Sequence, residues 1–160
     1  MLATAREVTV PLIYTMGEPR RRQADVGRWG GKNVRAAEEA AAGQWDHGNR
    51  IVDEIAPQPD DLVIRKSKPS AFFGTPLASY LNEMGVDSVL LMGGTTSGCV
   101  RATVVDAFSF NYRVGIVLEG TFDRFAASHK INLFDMGAKY ADVITMDEAK
   151  AYLRQRSRRA

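Results

Sequence analysis

Cysteine is nearly absent from this chain: Cys99 is its one thiol, so no internal disulfide can form. Histidine is almost as scarce, with two residues, His47 and His129. Neither has an evident sequence partnership with Cys99, so a Cys-His protease arrangement is less favoured than a Cys-Lys one. No His/Cys/Asp group has the spacing of a metal site. A signal peptide and long apolar runs are also missing, which makes a cytoplasmic protein that does not span a membrane the default. Repeats and low-complexity segments are absent too. Charge of one sign is lacking, because 21 Lys and Arg against 19 Asp and Glu leave a formal net charge of +2. Part of it comes from the basic tail 154–160, with Arg154, Arg156, Arg158 and Arg159, which reads as a solvated, frayed helix end. No second basic face with interleaved aromatics accompanies it, so no nucleic-acid partner is expected.

What is present is ordinary for a globular protein: 45% hydrophobic and 25% charged residues in a chain of 160. That length suits a single domain, 1–160, with a normal core. Short apolar, β-branched runs predict strands over Val10–Thr15, Asp61–Lys66, Ser88–Met92, Val114–Glu119 and Asp142–Thr145. Helical spacing falls between them. Leu77, Tyr80, Leu81 and Met84 line one face, Val100, Val104, Ala107 and Phe108 another, and Ile131, Leu133 and Phe134 suggest a third helix. Asp147 and Glu148 open a last one with acidic residues in its first turn. Alternating strands and helices predict an α/β domain with a doubly wound, mostly parallel sheet and helices on both faces. Such a sheet normally begins with a strand that ends up central, and none precedes the opening segment Leu2–Glu7. The sequence therefore reads as lacking its first, central strand. Residues 17–59, rich in charge and glycine around Arg20-Arg21-Arg22 and Gly30-Gly31, form a long excursion. It either covers the site or meets a neighbouring subunit, or is a flexible surface insertion.

Ligands in an open parallel sheet bind beyond the carboxyl ends of the strands, and three reactive side chains map there. Lys66 closes the second predicted strand, Cys99 follows the third, and Arg124 follows the fourth in Gly120-Thr121-Phe122-Asp123-Arg124. Cys99 lies in Gly93-Gly94-Thr95-Thr96-Ser97-Gly98-Cys99, between a strand and a helix. A thiol there meets the positive end of the helix dipole and free backbone N–H groups, which favour the thiolate. A buried structural thiol is the commonest fate of a lone cysteine. The glycines and hydroxyls around this one argue instead for backbone passing close to a ligand. A neighbouring ammonium would help keep the sulfur ionised, and an arginine can grip a carboxylate with two parallel hydrogen bonds. Surface pairing with Asp123 is the alternative fate of Arg124. The glycine run lacks the lysine of a phosphate loop.

The blocks Val63-Ile64-Arg65-Lys66-Ser67-Lys68-Pro69-Ser70-Ala71-Phe72-Phe73-Gly74-Thr75-Pro76-Leu77 and Gly93–Thr103 resemble the two signature blocks of the isochorismatase-like cysteine hydrolases. The resemblance runs from about residue 3 to 153. Within the superfamily, Thr121-Phe122-Asp123-Arg124, Asn132-Leu133-Phe134-Asp135-Met136 and the turn Arg28-Trp29-Gly30-Gly31-Lys32 are similar to the N-carbamoylsarcosine and maleamate amidohydrolase branch. The resemblance implies that Cys99 is the nucleophile and Lys66 its triad partner. It implies a cis peptide at Gly94-Thr95, an oxyanion hole from the N–H groups of Thr95 and Cys99, and Arg124 on a substrate carboxylate. A homo-oligomer, tetrameric in this branch, is implied as well. Family members also carry a catalytic aspartate on the first strand. It has no match here, and Asp25, in the excursion, is not given that role.

Two readings follow. The first is a hydrolase of a C–N bond in a small amide or ureido acid, releasing ammonia through a covalent Cys99 intermediate and needing no metal or organic cofactor. The second is an inactive, truncated relative that at most binds a small acid.

Overall fold

The computed structural model describes residues 1–18, 27–29, 32 and 49–157. Asp25, His47, most of the 17–59 excursion and the last three residues of the basic tail lie outside the described residues. The elements run α1 (Leu2–Glu7), β1 (Ile13–Gly17), β2 (Leu62–Lys66), α2 (Leu77–Glu83) and β3 (Ser88–Gly94). After a π-helical turn at Thr96–Val100 come α3 (Arg101–Ser109), β4 (Arg113–Phe122), α4 (Ala126–Lys139), β5 (Asp142–Ile144) and α5 (Met146–Ser157). Short 3-10 turns at Gly27–Trp29 and Asp53–Ile55 flank the undescribed stretch.

Every strand pairing is parallel. Among the described residues the hydrogen-bonded ladders form two groups, β1-β2 and β3-β4-β5. In β2 the pattern has period two: Ile64 and Lys66 are buried while Val63 and Arg65 are exposed, so alternate residues face opposite sides. Strand β4 reads differently. Val114, Ile116 and Val117 are buried, the continuous apolar run of a parallel strand covered on both faces. The core joins Ile64, Val114 and Ile116 to Phe72, Leu77, Leu81, Val100, Val104, Ala107, Leu133 and Met136 from the helices and loops.

The observed strands differ from the predicted ones at their ends for local reasons. The first ladder begins at Ile13 rather than Val10, because the Val10 N–H closes helix α1 on Ala5 O and Pro11 has no N–H to donate. The fourth runs on to Phe122 through an irregularity in its pairing with β3. Helix α4 forms where the apolar spacing places it but buries Asn132, Leu133 and Met136, leaving Ile131 and Phe134 exposed. Helix α5 starts on a capping box, with the Glu148 carboxylate accepting from Thr145 N–H and the Thr145 hydroxyl accepting from Glu148 N–H. Its basic end is tied down by Arg154 to Glu7 and Arg156 to Asp87. No helix among the described residues is long and apolar enough to cross a membrane.

Candidate active site

Lys66 is the last residue of β2 and is only 9% exposed. Its ammonium donates to Lys68 O at 3.0 Å, Pro69 O at 2.9 Å and Cys99 Sγ at 3.3 Å. Three N–H bonds thus meet three acceptors, so a buried charge is satisfied while it faces the sulfur. The two carbonyls belong to the loop after β2, and that loop is fastened to α3. Ser70 Oγ donates to Asp106 Oδ2 at 2.5 Å, and Ala71 N–H donates to Thr103 Oγ1 at 3.0 Å. Thr103 in turn donates to Cys99 O at 2.7 Å. Lysine and thiol are therefore held by one connected set of bonds.

Cys99 is half-buried in the turn Thr96–Val100, a π-helical turn that precedes α3 rather than the first α-helical turn the sequence suggests. The Gly94-Thr95 peptide just before it is cis. Thr95 O accepts from the N–H groups of Gly98 and Val100 at 3.0 and 3.2 Å, which closes the turn. A side chain at Gly94 would come within 2.6 Å of the Phe122 ring, and one at Gly98 within 2.7 Å of Thr95 Oγ1. A side chain at Gly94, just before the turn, or at Gly98, within it, would therefore force the Phe122 ring or the Thr95 side chain to shift.

The segment after β4 supplies the other wall. Asp123 accepts from Ser97 N–H and from Arg124 N–H, each at 2.8 Å. Partial burial pushes the Asp123 carboxyl up, but the bonds from Ser97 and Arg124, with the nearby guanidinium, outweigh it. Its pKa lies below the ordinary carboxylate value. Arg124 is exposed, and its guanidinium makes no ion pair among the described residues. His129 on α4 reaches the turn at Thr96, Nδ1 to Oγ1 2.8 Å, and not at the thiol. Arg101 joins α3 to α4 through Asn132 at 2.6 Å and Asp135 at 3.5 Å. An open groove of about 440 Å³ borders the turn beside Pro69, Ser97, Gly98, Arg101 and Asp106, and Cys99 is not part of its lining.

The structure thus brings Lys66 and Cys99 into direct contact and sets Thr95 and Cys99 at the two sides of one turn. Among the described residues Arg124 is linked to that turn only through Asp123. Sequence reasoning missed the roles of Asp123, Thr103, Ser70 and Phe122. The one signal available was the position of Asp123 next to Arg124, which suggested a surface pair instead of a backbone anchor.

This chain matches the Isochorismatase domain over residues 1–148, and it belongs to that family. It is 45% identical over 102 residues to a maleamate amidohydrolase of Pseudomonas putida, covering 64% of this chain and 48% of that protein. It is 36% identical over 154 residues to an N-carbamoylsarcosine amidase of an Arthrobacter species, covering 93% of this chain and 57% of that protein. The chain spans about half the length of these curated relatives. A solved isochorismatase-family structure from Desulfovibrio vulgaris superposes with a TM-score of 0.82 at 27% identity, covering 96% of this chain and 80% of that one.

Proposed function

We propose that the chain carries the site of a cysteine hydrolase that cleaves a C–N bond in a small carboxylate-bearing amide or ureido acid. Cys99 attacks the carbonyl carbon and forms a C–S bond. The C–N bond breaks, ammonia leaves with the thiol's proton, and water then cleaves the thioester or thiocarbamate. The Lys66 ammonium donates a hydrogen bond to the attacking sulfur. The N–H groups of Thr95 and Cys99, beside the cis Gly94-Thr95 peptide, receive the oxyanion. Arg124 grips the substrate carboxylate. The observation that carries this reading is the Lys66 ammonium, buried and bonded on all sides, with one of its bonds on Cys99 Sγ. The names of the two amidohydrolase relatives support the substrate class. Assembly as a homo-oligomer belongs to the same proposal, and the exposed Phe125, Ile131 and Phe134 support it.

A second reading has its own observation. Among the described residues Lys66 is the only hydrogen-bond partner of Cys99 Sγ, so no described carboxylate or imidazole takes the thiol's proton. A chain with this site would bind a small acid without turning it over. Ammonia release from maleamate and N-carbamoylsarcosine separates the two. Turnover abolished in Cys99→Ser supports the hydrolase, whereas carboxylate binding with no ammonia supports the scaffold.

A further inference from the structure

Strand β4 does not run straight into the site. Its register with β3 pairs Leu91 with Ile116 but Gly93 with Thr121, so β4 carries the longer stretch over that interval. The Thr121 hydroxyl stitches the stretch together, reaching Val117 O at 3.3 Å and Leu118 O at 3.1 Å. Such an irregularity at a strand end re-aims the side chains beyond it. Here the Phe122 ring is brought against Gly94, and Asp123 is brought against Ser97. One Asp123 oxygen holds the Ser97 N–H of the thiol's turn, and the other holds the Arg124 N–H. Both oxygens hold backbone N–H groups, and the Arg124 guanidinium makes no ion pair among the described residues.

We propose that Asp123 is a positioning residue that fixes Arg124 relative to Cys99, setting the span between the carboxylate grip and the nucleophile. It is bonded to both backbone segments that carry those groups. The proposal rests on the reading of Arg124 as the carboxylate grip.

Alkylation of Cys99 tests it without any need for amide hydrolysis. Iodoacetate and iodoacetamide both react by forming a C–S bond as iodide leaves with the C–I electron pair. They differ in that only the first bears a carboxylate. The ratio of their rates at Cys99, divided by the same ratio for free cysteine, reads how strongly a carboxylate is guided to the sulfur. The wild-type value should exceed unity by about tenfold, and Arg124→Ala should remove that preference. Asp123→Ala should lower the ratio most of the way to the Arg124→Ala value while the thermal midpoint is retained. Asp123→Asn, with one acceptor oxygen for two N–H groups, should fall between. Loss of the Asp123 charge by itself would raise the ratio, since the anionic reagent would meet less repulsion. An unchanged or raised ratio therefore overturns the proposal. Unfolding of both variants would assign Asp123 a structural role and overturn it as well. A wild type without selectivity would contradict the role of Arg124 itself, an outcome distinct from failure at Asp123 alone.

Discussion

Replacing Lys66 with methionine should damage reactivity and stability together, by amounts the contacts set. The ammonium bonds Cys99 Sγ, Lys68 O and Pro69 O at 3.3, 3.0 and 2.9 Å, and Lys66 is 9% exposed. Methionine keeps most of the stem's volume but donates nothing. The lost charge-assisted bond to sulfur is worth on the order of 1.5–3 kcal/mol, which slows alkylation by iodoacetamide near pH 7 roughly ten- to a hundredfold. The two carbonyls that lose their donor cost about 1–3 kcal/mol each if water does not replace it. The thermal midpoint should then drop by roughly 4 °C or more for a chain of this size. Peptide mass spectrometry follows the Cys99 adduct with time, and calorimetry follows the midpoint. Unchanged alkylation together with an unchanged midpoint would refute the claim that this ammonium serves the thiol and closes its own loop.

Arg124→Ala should lower kcat/KM for acidic amides roughly ten- to a hundredfold more than for neutral amides, and equal losses would assign Arg124 a structural role. Met136→Ala empties a fully buried site, and urea unfolding should show a loss of about 2–5 kcal/mol; a loss under about 1 kcal/mol would mean the core closes over the gap. Acid should destabilise the fold. Bonds from Gln58 N–H and Arg6 to Asp61, from Ser88 to Asp87, from Lys139 to Asp135 and from Thr145 N–H to Glu148 hold these carboxyls below their ordinary values, as Asp123 is held. The unfolded chain then binds more protons in the window below about pH 4, so the stabilisation is full above it and is lost as pH falls through the folded-state values. Urea midpoints that rise on going from pH 5 to pH 3 would contradict this sign.

The elements legible in the sequence were those with local causes. β4 is marked by its apolar, β-branched run, and α5 by Asp147 and Glu148 in its first turn. Lys66 and Cys99 could be picked out because each stands at the end of an apolar strand, where a parallel sheet gathers its reactive groups. What escaped depends on contacts between distant segments. The extension of β4 to Phe122 rests on Thr121 bonding back to Val117 and Leu118, and no local propensity records that. The anchoring of Ser97 by Asp123 spans β3 and β4, and the bond between His129 and Thr96 needs α4 laid across the turn. Leu133, Ile131 and Phe134 were equally apolar in the sequence, and only packing decides that the first is buried and the others exposed.

In the proposed reaction Cys99 becomes acylated by a small acidic amide. Rapid acid quench of the protein with maleamate or N-carbamoylsarcosine, followed by peptide mass spectrometry, tests it most directly. The peptide bearing Cys99 should gain the mass of the whole substrate less one ammonia, and the gain should disappear in Cys99→Ser. Ammonia released with no adduct in either protein, and at the same rate in Cys99→Ser, would contradict it.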